Sequence, residues 1–571
     1  MQNVGRYVAV AAILLWVRVM PGQESVADVV LVNGKVITVD AADSIAEAVA
    51  IRGGKILVVG GKDAVMRHAG KGTKVIDLHG RTATPGLIDS HLHFASVGPI
   101  YSIDLSTAHS MDEVLKGVRE RVAKAKPGEW ILGEGWDEGK LAERRYVFAS
   151  DLDTVAPNNP VWLTHTTGHY GVANSVALKM AQITASTPNP PAGTIDRNSK
   201  DQPSGVLKEE AAMSLVTKLI PDYSREQMRD GYLKTMAELN KEGVTAIKDP
   251  GMGPENWSVY SELRDQKKLT VHLFVLWSGG TTVAHTQEAV KRILSLPKTD
   301  DDLLISGGVK LYMDGSGGAR TAWMWSDWNK NSTDIDSSNK GYPLTDPQIY
   351  RKQVRMIHNA GIHVGTHAIG DRAIDWVVDT YAEVLKDKPT KGLRHSIIHA
   401  NIPSDHAIET MAALEKQYDA GYPEAQAEFM YWIGDTYAGN FGPDRCLRLM
   451  PFQTYLHKGV QWAGGSDYSV TPFPPRLGIW ASMARETLKG TWGKQPFGVA
   501  EAVDIHPAWR SYTVWGAHQL FLDGRIGSIE VGKDADIAIW DRDPYTVPME
   551  KVKDMKCEMT LFQGNVVYEA R

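Results

Sequence analysis

Eight short apolar stretches, with helix-like segments filling the intervals between them, constrain this chain more than any other feature. They are TPGLIDSHLHF (84–94), TAIKDPG (245–251), VHLFVLWS (271–278), GGVKLYMDG (307–315), HVGTHAIG (363–370), RHSIIHAN (394–401), EAQAEFM (424–430) and VQWAGGSD (460–467). DPQIYRKQVRMIHNAG (346–361) and DRAIDWVVDTYAEVLKD (371–387) carry the spacing of helices between them. Strand alternating with helix marks parallel βα units, and eight such units close most economically as a (β/α)8 barrel of the TIM type. The interval from about 95 to 243 is too long for one βα connection. It reads as an insertion folded over the barrel mouth.

The ends of the chain have a different texture. Residues 28–84 alternate apolar and polar in short runs, with hairpin signals at Asn33-Gly34 and Gly53-Gly54. The last fifty residues look alike, with a turn near Gly564. At 571 residues the chain is too long for one ordinary domain. The expected α/β organisation is a catalytic barrel over 84–522 and a small β-sandwich shared by both ends, 27–83 and 523–571.

Before this lies Arg6, the apolar run 7–17 (YVAVAAILLWV) and the turn-prone Pro21-Gly22. The run is too short to span a bilayer and reads as the core of a signal peptide over 1–23, placing the mature chain outside the cytoplasm, in a periplasm. Arg18 follows the run directly and no A-x-A site is evident. A buried N-terminal helix in a cytoplasmic protein is therefore the alternative. No later segment is long and apolar enough to span a membrane. The formal net charge is −6 and no basic run occurs, which argues against nucleic acid and for a small-molecule substrate. Self-association into a homo-oligomer stays open. The two cysteines, Cys446 and Cys557, form no CxxC and exclude both a disulfide framework and a cysteine zinc site, leaving at most one bridge between them.

Side chains two apart on a strand share a face, so His91 and His93 point the same way at the C-terminal end of the first stretch, where barrel enzymes build their sites. On GGVKLYMDG, Lys310 shares a face with Tyr312 and Asp314, while Val309, Leu311 and Met313 face the helices. A lysine pointing into a barrel is costly unless paired, neutralised or modified. A salt bridge to Asp314 or another acid is one reading, and a carbamate whose two oxygens bridge two divalent ions is the other. His367, His399 and Asp467 end the fifth, sixth and eighth stretches. A lone histidine is more often a core residue. A His-x-His, a lysine, two histidines and an aspartate, each ending a different strand in this order, is a metal-binding pattern.

PGLIDSHLHF, GVKLYMDGS, GTHAIGDRAID, RHSIIHA (394–400), GGSD and GSIEVGKDADIAIWDRDP resemble the amidohydrolase superfamily. More narrowly, they resemble its amidohydrolase-3 branch, to which N-substituted formamide deformylase belongs. The resemblance runs from about residue 28 to the end, and takes in GWDEG (135–139), 151–178 and GVLKEEA (205–211) of the insertion. It implies that His91, His93 and Asp467 bind the more buried of two metal ions and His367 and His399 the more exposed one. Carboxylated Lys310 would bridge the two. It further implies a metal-activated hydroxide that attacks a carbonyl, with Asp467 as general base and then acid. His169, in TTGH, matches a family position facing the site and is a candidate substrate or oxyanion contact, a structural hydrogen-bonding role being the alternative. Two departures bear on substrate rather than metal: Ile398 stands where the family commonly has Glu, and Gln426-Ala427 where it often has Gln-Pro.

Trp323, Trp325 and Trp328 crowd the loop after the fourth stretch, and either wall the substrate pocket or pack against the insertion. Asp314, Arg320 and Trp323 are the candidate substrate contacts. The expected activity is hydrolysis of an amide, N-acyl or N-formyl C–N bond by one or two Zn2+ ions. A deaminase or esterase on the same scaffold is the enzymatic alternative, Lys310 counting against the deaminase. A metal-containing solute-binding protein is the non-enzymatic one.

Overall fold

The computed structural model describes residues 26–297, 302–329 and 338–570, so the leader reading of 1–23 lies outside the described residues. Eight parallel strands lie side by side in chain order: β1 (Leu87–Asp89), β2 (Val244–Met252), β3 (His272–Ser278), β4 (Leu304–Tyr312), β5 (His363–Ala368), β6 (Ser396–His399), β7 (Tyr422–Ala425) and β8 (Ala463–Gly464). The two ends of the row meet where the Ser90 N–H donates to the Gly464 carbonyl at 2.9 Å, giving a nearly closed barrel in an α/β fold. Helices pack outside it. Asp346 caps the helix Pro347–Asn359 by accepting from the Gln348 and Ile349 N–H groups, with proline in the first turn. Val309, Leu311 and Met313 of and just beyond β4 pack outward with Val354, Ile357, Val377 and Val378 of the surrounding helices. Inside, Phe274, Leu276 and Ile398 cluster with Leu520, Leu522 and Ile526, so the barrel interior is apolar on that side.

The strands are shorter than the apolar stretches at the two ends of the row. Asp89 ends β1, because its carboxylate accepts the N–H groups of His91 and Ser466 and the Ser466 hydroxyl. Those amides are then lost to strand pairing. His91 and His93 consequently follow the strand rather than belong to it. β7 ends at Ala425, and the rest of that stretch turns into the helix Glu428–Trp432.

The chain ends form two further sheets. One has four strands, the other six, and the six-stranded sheet joins Thr82–Pro85 and Lys35–Ile37 from the N-terminal side to Ile537–Trp540 and Cys557–Phe562 from the C-terminal side. Leu31, Val49, Ile537 and Leu561 share one apolar cluster between them. Gly53-Gly54 makes the expected hairpin, both residues at positive φ (57° and 78°) between antiparallel Ala48–Arg52 and Lys55–Gly60. Asn33-Gly34 does not. Val29–Val32 pairs within the four-stranded sheet and Lys35–Ile37 within the six-stranded one, so this turn carries the chain from one sheet to the other.

Within 95–243, six strands from Ile103–Asp104 to Pro203–Lys208 form a separate sheet with apolar clusters of its own. The last helix of that stretch, Arg225–Lys241, belongs by packing to the barrel, burying Tyr232, Met236 and Leu239 in the main core. Cys446 and Cys557 are buried and unbridged. No described helix is long and apolar enough to cross a membrane. Because Ile537 is fully buried between sheets drawn from both chain ends, Ile537→Ala should cost ~2–5 kcal/mol. Urea denaturation measures it, and a loss well under 1 kcal/mol would show that this cluster does not hold the ends together.

Candidate metal centre

All the strand-end residues singled out in the sequence meet at the C-terminal mouth of the barrel. His93 Nε2 lies 3.0 Å and His91 Nε2 3.4 Å from Asp467 Oδ1. The His91 ring is 5.1 Å from that of His399, which is 4.5 Å from that of His367. His91, His399 and Asp467 offer ligand atoms all within 4.8 Å of one another. Lys310 projects inward from β4, with Nζ 4.8 Å from the Tyr312 ring centre and no ion pair to any described residue, Asp314 included.

These close approaches are not hydrogen bonds. His91 Nδ1, His91 Nε2 and Asp467 Oδ1 are buried without a hydrogen-bond partner. Buried polar atoms are nearly always paired. Three unpaired ones converging beside further imidazoles fit a divalent cation, which takes nitrogen and carboxylate donors. The charge states suit that role. Burial and the Lys310 charge lower the His91 pKa, and burial and neighbouring positive groups hold His367 and His399 well below the usual range. The rings are therefore neutral, the form that binds metal. Burial alone would raise the Asp467 carboxyl, but His91 and His93 hold it well below the ordinary range. Burial pushes Lys310 down to about 8, against the opposing pull of Asp467 and Glu424.

Each ring is oriented by its second nitrogen or by its backbone, as metal-ligating histidines generally are. Gln426 Oε1 meets His399 Nδ1 at 2.7 Å, leaving Nε2 for a ligand. The Gly315 carbonyl accepts from His367 Nε2 at 2.9 Å, leaving Nδ1. Glu424 Oε2 approaches His91 Nδ1 at 3.5 Å, while its Oε1 accepts from Lys248 Nζ at 2.6 Å, with all three side chains fully buried. The sequence reading passed over Glu424 and Lys248. Each is legible in the sequence only as a charged residue on an inward position of an apolar barrel strand, and their pairing is visible only in the fold.

His169, from the insertion, lies with its ring 5.2 Å from that of His367. Its Nδ1 donates to Glu209 at 2.8 Å, and the Thr321 hydroxyl donates to the other Glu209 oxygen. Burial would lower the His169 pKa, but the charges of Glu209, Asp467 and Asp314 raise it. The candidate substrate contacts sit differently. Asp314 is fully buried and accepts the N–H groups of Trp323, Ile369 and Gly370, so both of its oxygens are engaged in holding the loop after β4. Arg320 is buried in that loop, at positive φ. Trp323 packs under the Arg372 guanidinium at 4.2 Å, Trp328 against Phe441, and the Trp325 indole donates outward to Asp375. A second acid–histidine group, Asp137, Glu138 and His165, lies in the insertion, where Tyr170 hydrogen-bonds both Glu138 and His165.

The sequence model of the amidohydrolase family matches residues 74–568. The chain belongs to the amidohydrolase family. It is 29% identical over 559 residues to an N-substituted formamide deformylase of Arthrobacter pascens, covering 95% of this chain and 98% of that one. It is 31% identical over 542 residues to the protein LONG AFTER FAR-RED 3 of Arabidopsis thaliana, covering 90% and 88%. An uncharacterised metal-dependent hydrolase from Pyrococcus horikoshii has the same fold, with a TM-score of 0.70 at 24% identity over 91% of this amidohydrolase and 99% of that chain. In this amidohydrolase, replacing His91 and His93 together by alanine should abolish metal retention while far-UV circular dichroism stays that of the folded barrel, whose packing lies below the mouth. Metal analysis after gel filtration decides it, and an unchanged metal content would remove the two histidines from the ligand set.

Proposed function

We propose that the protein hydrolyses the C–N bond of a small amide, N-acyl or N-formyl compound at a centre of one or two zinc ions. The observation that carries this reading is the convergence of unpaired, buried His91 Nε2 and Asp467 Oδ1 with His93 and His399 at the barrel mouth of an amidohydrolase. The near-full-length relative named N-substituted formamide deformylase favours a C–N bond as the target. His91, His93 and Asp467 would hold one ion, and His367 through Nδ1 and His399 through Nε2 the other. Lys310 would lie between them as a carbamate. Bound there, the metal lowers the pKa of water toward neutrality and polarises the substrate carbonyl.

The chain's own groups do the rest. Asp467, kept ionised by His91 and His93, accepts the proton of the attacking water. As the C–N bond breaks it returns that proton to the leaving nitrogen. His169, fixed through Nδ1 by Glu209, offers Nε2 as a donor to the carbonyl oxygen, where negative charge develops. Gln426 keeps the His399 ring in its binding orientation. The low amine pKa of Lys310 leaves a neutral nucleophilic fraction near neutral pH, whose nitrogen would add to the carbon of carbon dioxide and release one proton to solvent, giving the carbamate. We read the two terminal sheets as one β-sandwich domain (27–83 and 523–571) beside the catalytic barrel (84–522), and residues 1–23 as an export signal.

Lys310→Ala should lose activity by on the order of a hundredfold, about 2.7 kcal/mol of transition-state stabilisation. Short-chain carboxylates should restore part of it by standing in for the carbamate. Assays of zinc-reconstituted protein on N-formyl and N-acyl amines with added acetate or propionate test this. A near-wild-type rate in the variant, with two zinc ions retained, would exclude the bridging lysine.

A further inference from the structure

The imidazoles at the barrel mouth differ in what stands behind them. Behind His399 is a neutral amide, with Gln426 Oε1 at 2.7 Å from Nδ1. Behind His367 is a neutral backbone carbonyl, that of Gly315, at 2.9 Å from Nε2. Asp314 stands 3.8 Å from the same nitrogen, but both of its oxygens are already taken by backbone amides. Behind His91 is a carboxylate that no other imidazole shares: Glu424 Oε2 lies 3.5 Å from Nδ1. Glu424 on β7 and Gln426 just beyond its end are two apart, so one strand end backs two candidate ligands, the first with a charged group and the second with an uncharged one.

The His91–Glu424 contact is open as it stands. His91 Nδ1 and Glu424 Oε2 are both buried without a hydrogen-bond partner, and they face each other just beyond the usual N–H···O distance. Lys248 Nζ holds the other Glu424 oxygen at 2.6 Å, which fixes the carboxylate and leaves Oε2 to His91. A metal ion on His91 Nε2 obliges Nδ1 to carry the ring proton, and the unpaired Oε2 is the acceptor in place for it. A carboxylate there makes the imidazole a stronger metal ligand than an amide or carbonyl does, because its charge offsets the positive charge that the ring gains on coordination. Asp467, which approaches both His91 and His93, adds a second carboxylate on the same side of the centre.

We propose that Glu424 is a positioning residue for His91, fixed in place by Lys248, and that it makes the centre load unequally. An ion at His91, His93 and Asp467 is held tightly, and an ion at His367 and His399 is held weakly and exchanges. The inference rests on the two-ion assignment made above and not on which bond the protein cleaves. Chelator competition on the zinc-loaded full chain should release two ions in two steps, with affinities at least about tenfold apart. His93→Ala should remove the tighter step and His367→Ala the weaker one. Glu424→Gln, close to isosteric, should weaken the tighter step by on the order of ten- to a hundredfold and leave the weaker one unchanged. Because that variant strands the Lys248 charge, Lys248→Met combined with Glu424→Gln, which removes both charges, is measured beside it and should show the same selective loss. Gln426→Glu, the reverse exchange, should tighten the weaker step. Two steps of equal affinity, or a tighter step unchanged in the double variant, overturns the assignment. So does an equal loss at both steps, which marks a general loosening of the barrel. Unequal, Glu424-dependent zinc binding without cleavage of any formamide or N-acyl amine supports the assignment and instead overturns the hydrolase reading.

Discussion

The ion pair between Lys248 and Glu424 underlies the site. It crosses the barrel interior from β2 to β7 at 2.6 Å, with both side chains fully buried. Burial alone would protonate Glu424, but the Lys248 charge, helped by His91, holds its carboxyl well below the ordinary range. Removing either partner would leave an uncompensated charge in the core, a loss of about 3–5 kcal/mol. The pair therefore does more than join two strands. It fixes a carboxylate beneath His91, close to the nitrogen that does not face Asp467. Apolar residues on one side, an ion pair across the middle and neutral imidazoles above it give the barrel a graded interior that opens polar only at the mouth.

That gradient explains how the side chains gathered at the mouth stay rigid. Strand pairing places Lys310, His367 and His399, and short contacts fix what pairing does not. Asp89 pins the turn carrying His91 and also grips Ser466, next to Asp467, so one buried carboxylate sets the spacing of two predicted ligands from opposite ends of the strand row. The insertion is tied into the same frame. Glu209 joins its own His169 to Thr321 of the loop after β4, and Asp314 anchors that loop to the backbone following β5. Preorganisation of this kind is where enzymes obtain most of their electrostatic advantage.

Much of this was legible in the sequence, for identifiable reasons. The barrel strands were visible because parallel strands are buried on both faces and read as apolar runs, and the candidate ligands that the fold brings together because each ends such a run. The inward direction of Lys310 followed from simple alternation. What escaped depended on partners remote in the chain. Glu424 and Lys248 are separated by 176 positions, and neither strand alone shows that the other exists. Asn33-Gly34 has the local chemistry of a hairpin, yet tertiary pairing sends its two strands to different sheets. Asp314 looked like a site residue because it shares the Lys310 alternation. In the fold the strand has ended before it, and three backbone amides claim its oxygens.

The central claim is that histidines and Asp467, not sulfur or scattered surface acids, hold a catalytic metal at the barrel mouth. X-ray absorption at the zinc edge of the zinc-reconstituted full chain tests it most directly. The account predicts one to two zinc ions per chain after gel filtration, in a shell of nitrogen and oxygen at ~2.0–2.1 Å with imidazole scattering and no sulfur. A sulfur shell near ~2.3 Å, or zinc that washes away from correctly folded protein, would contradict it.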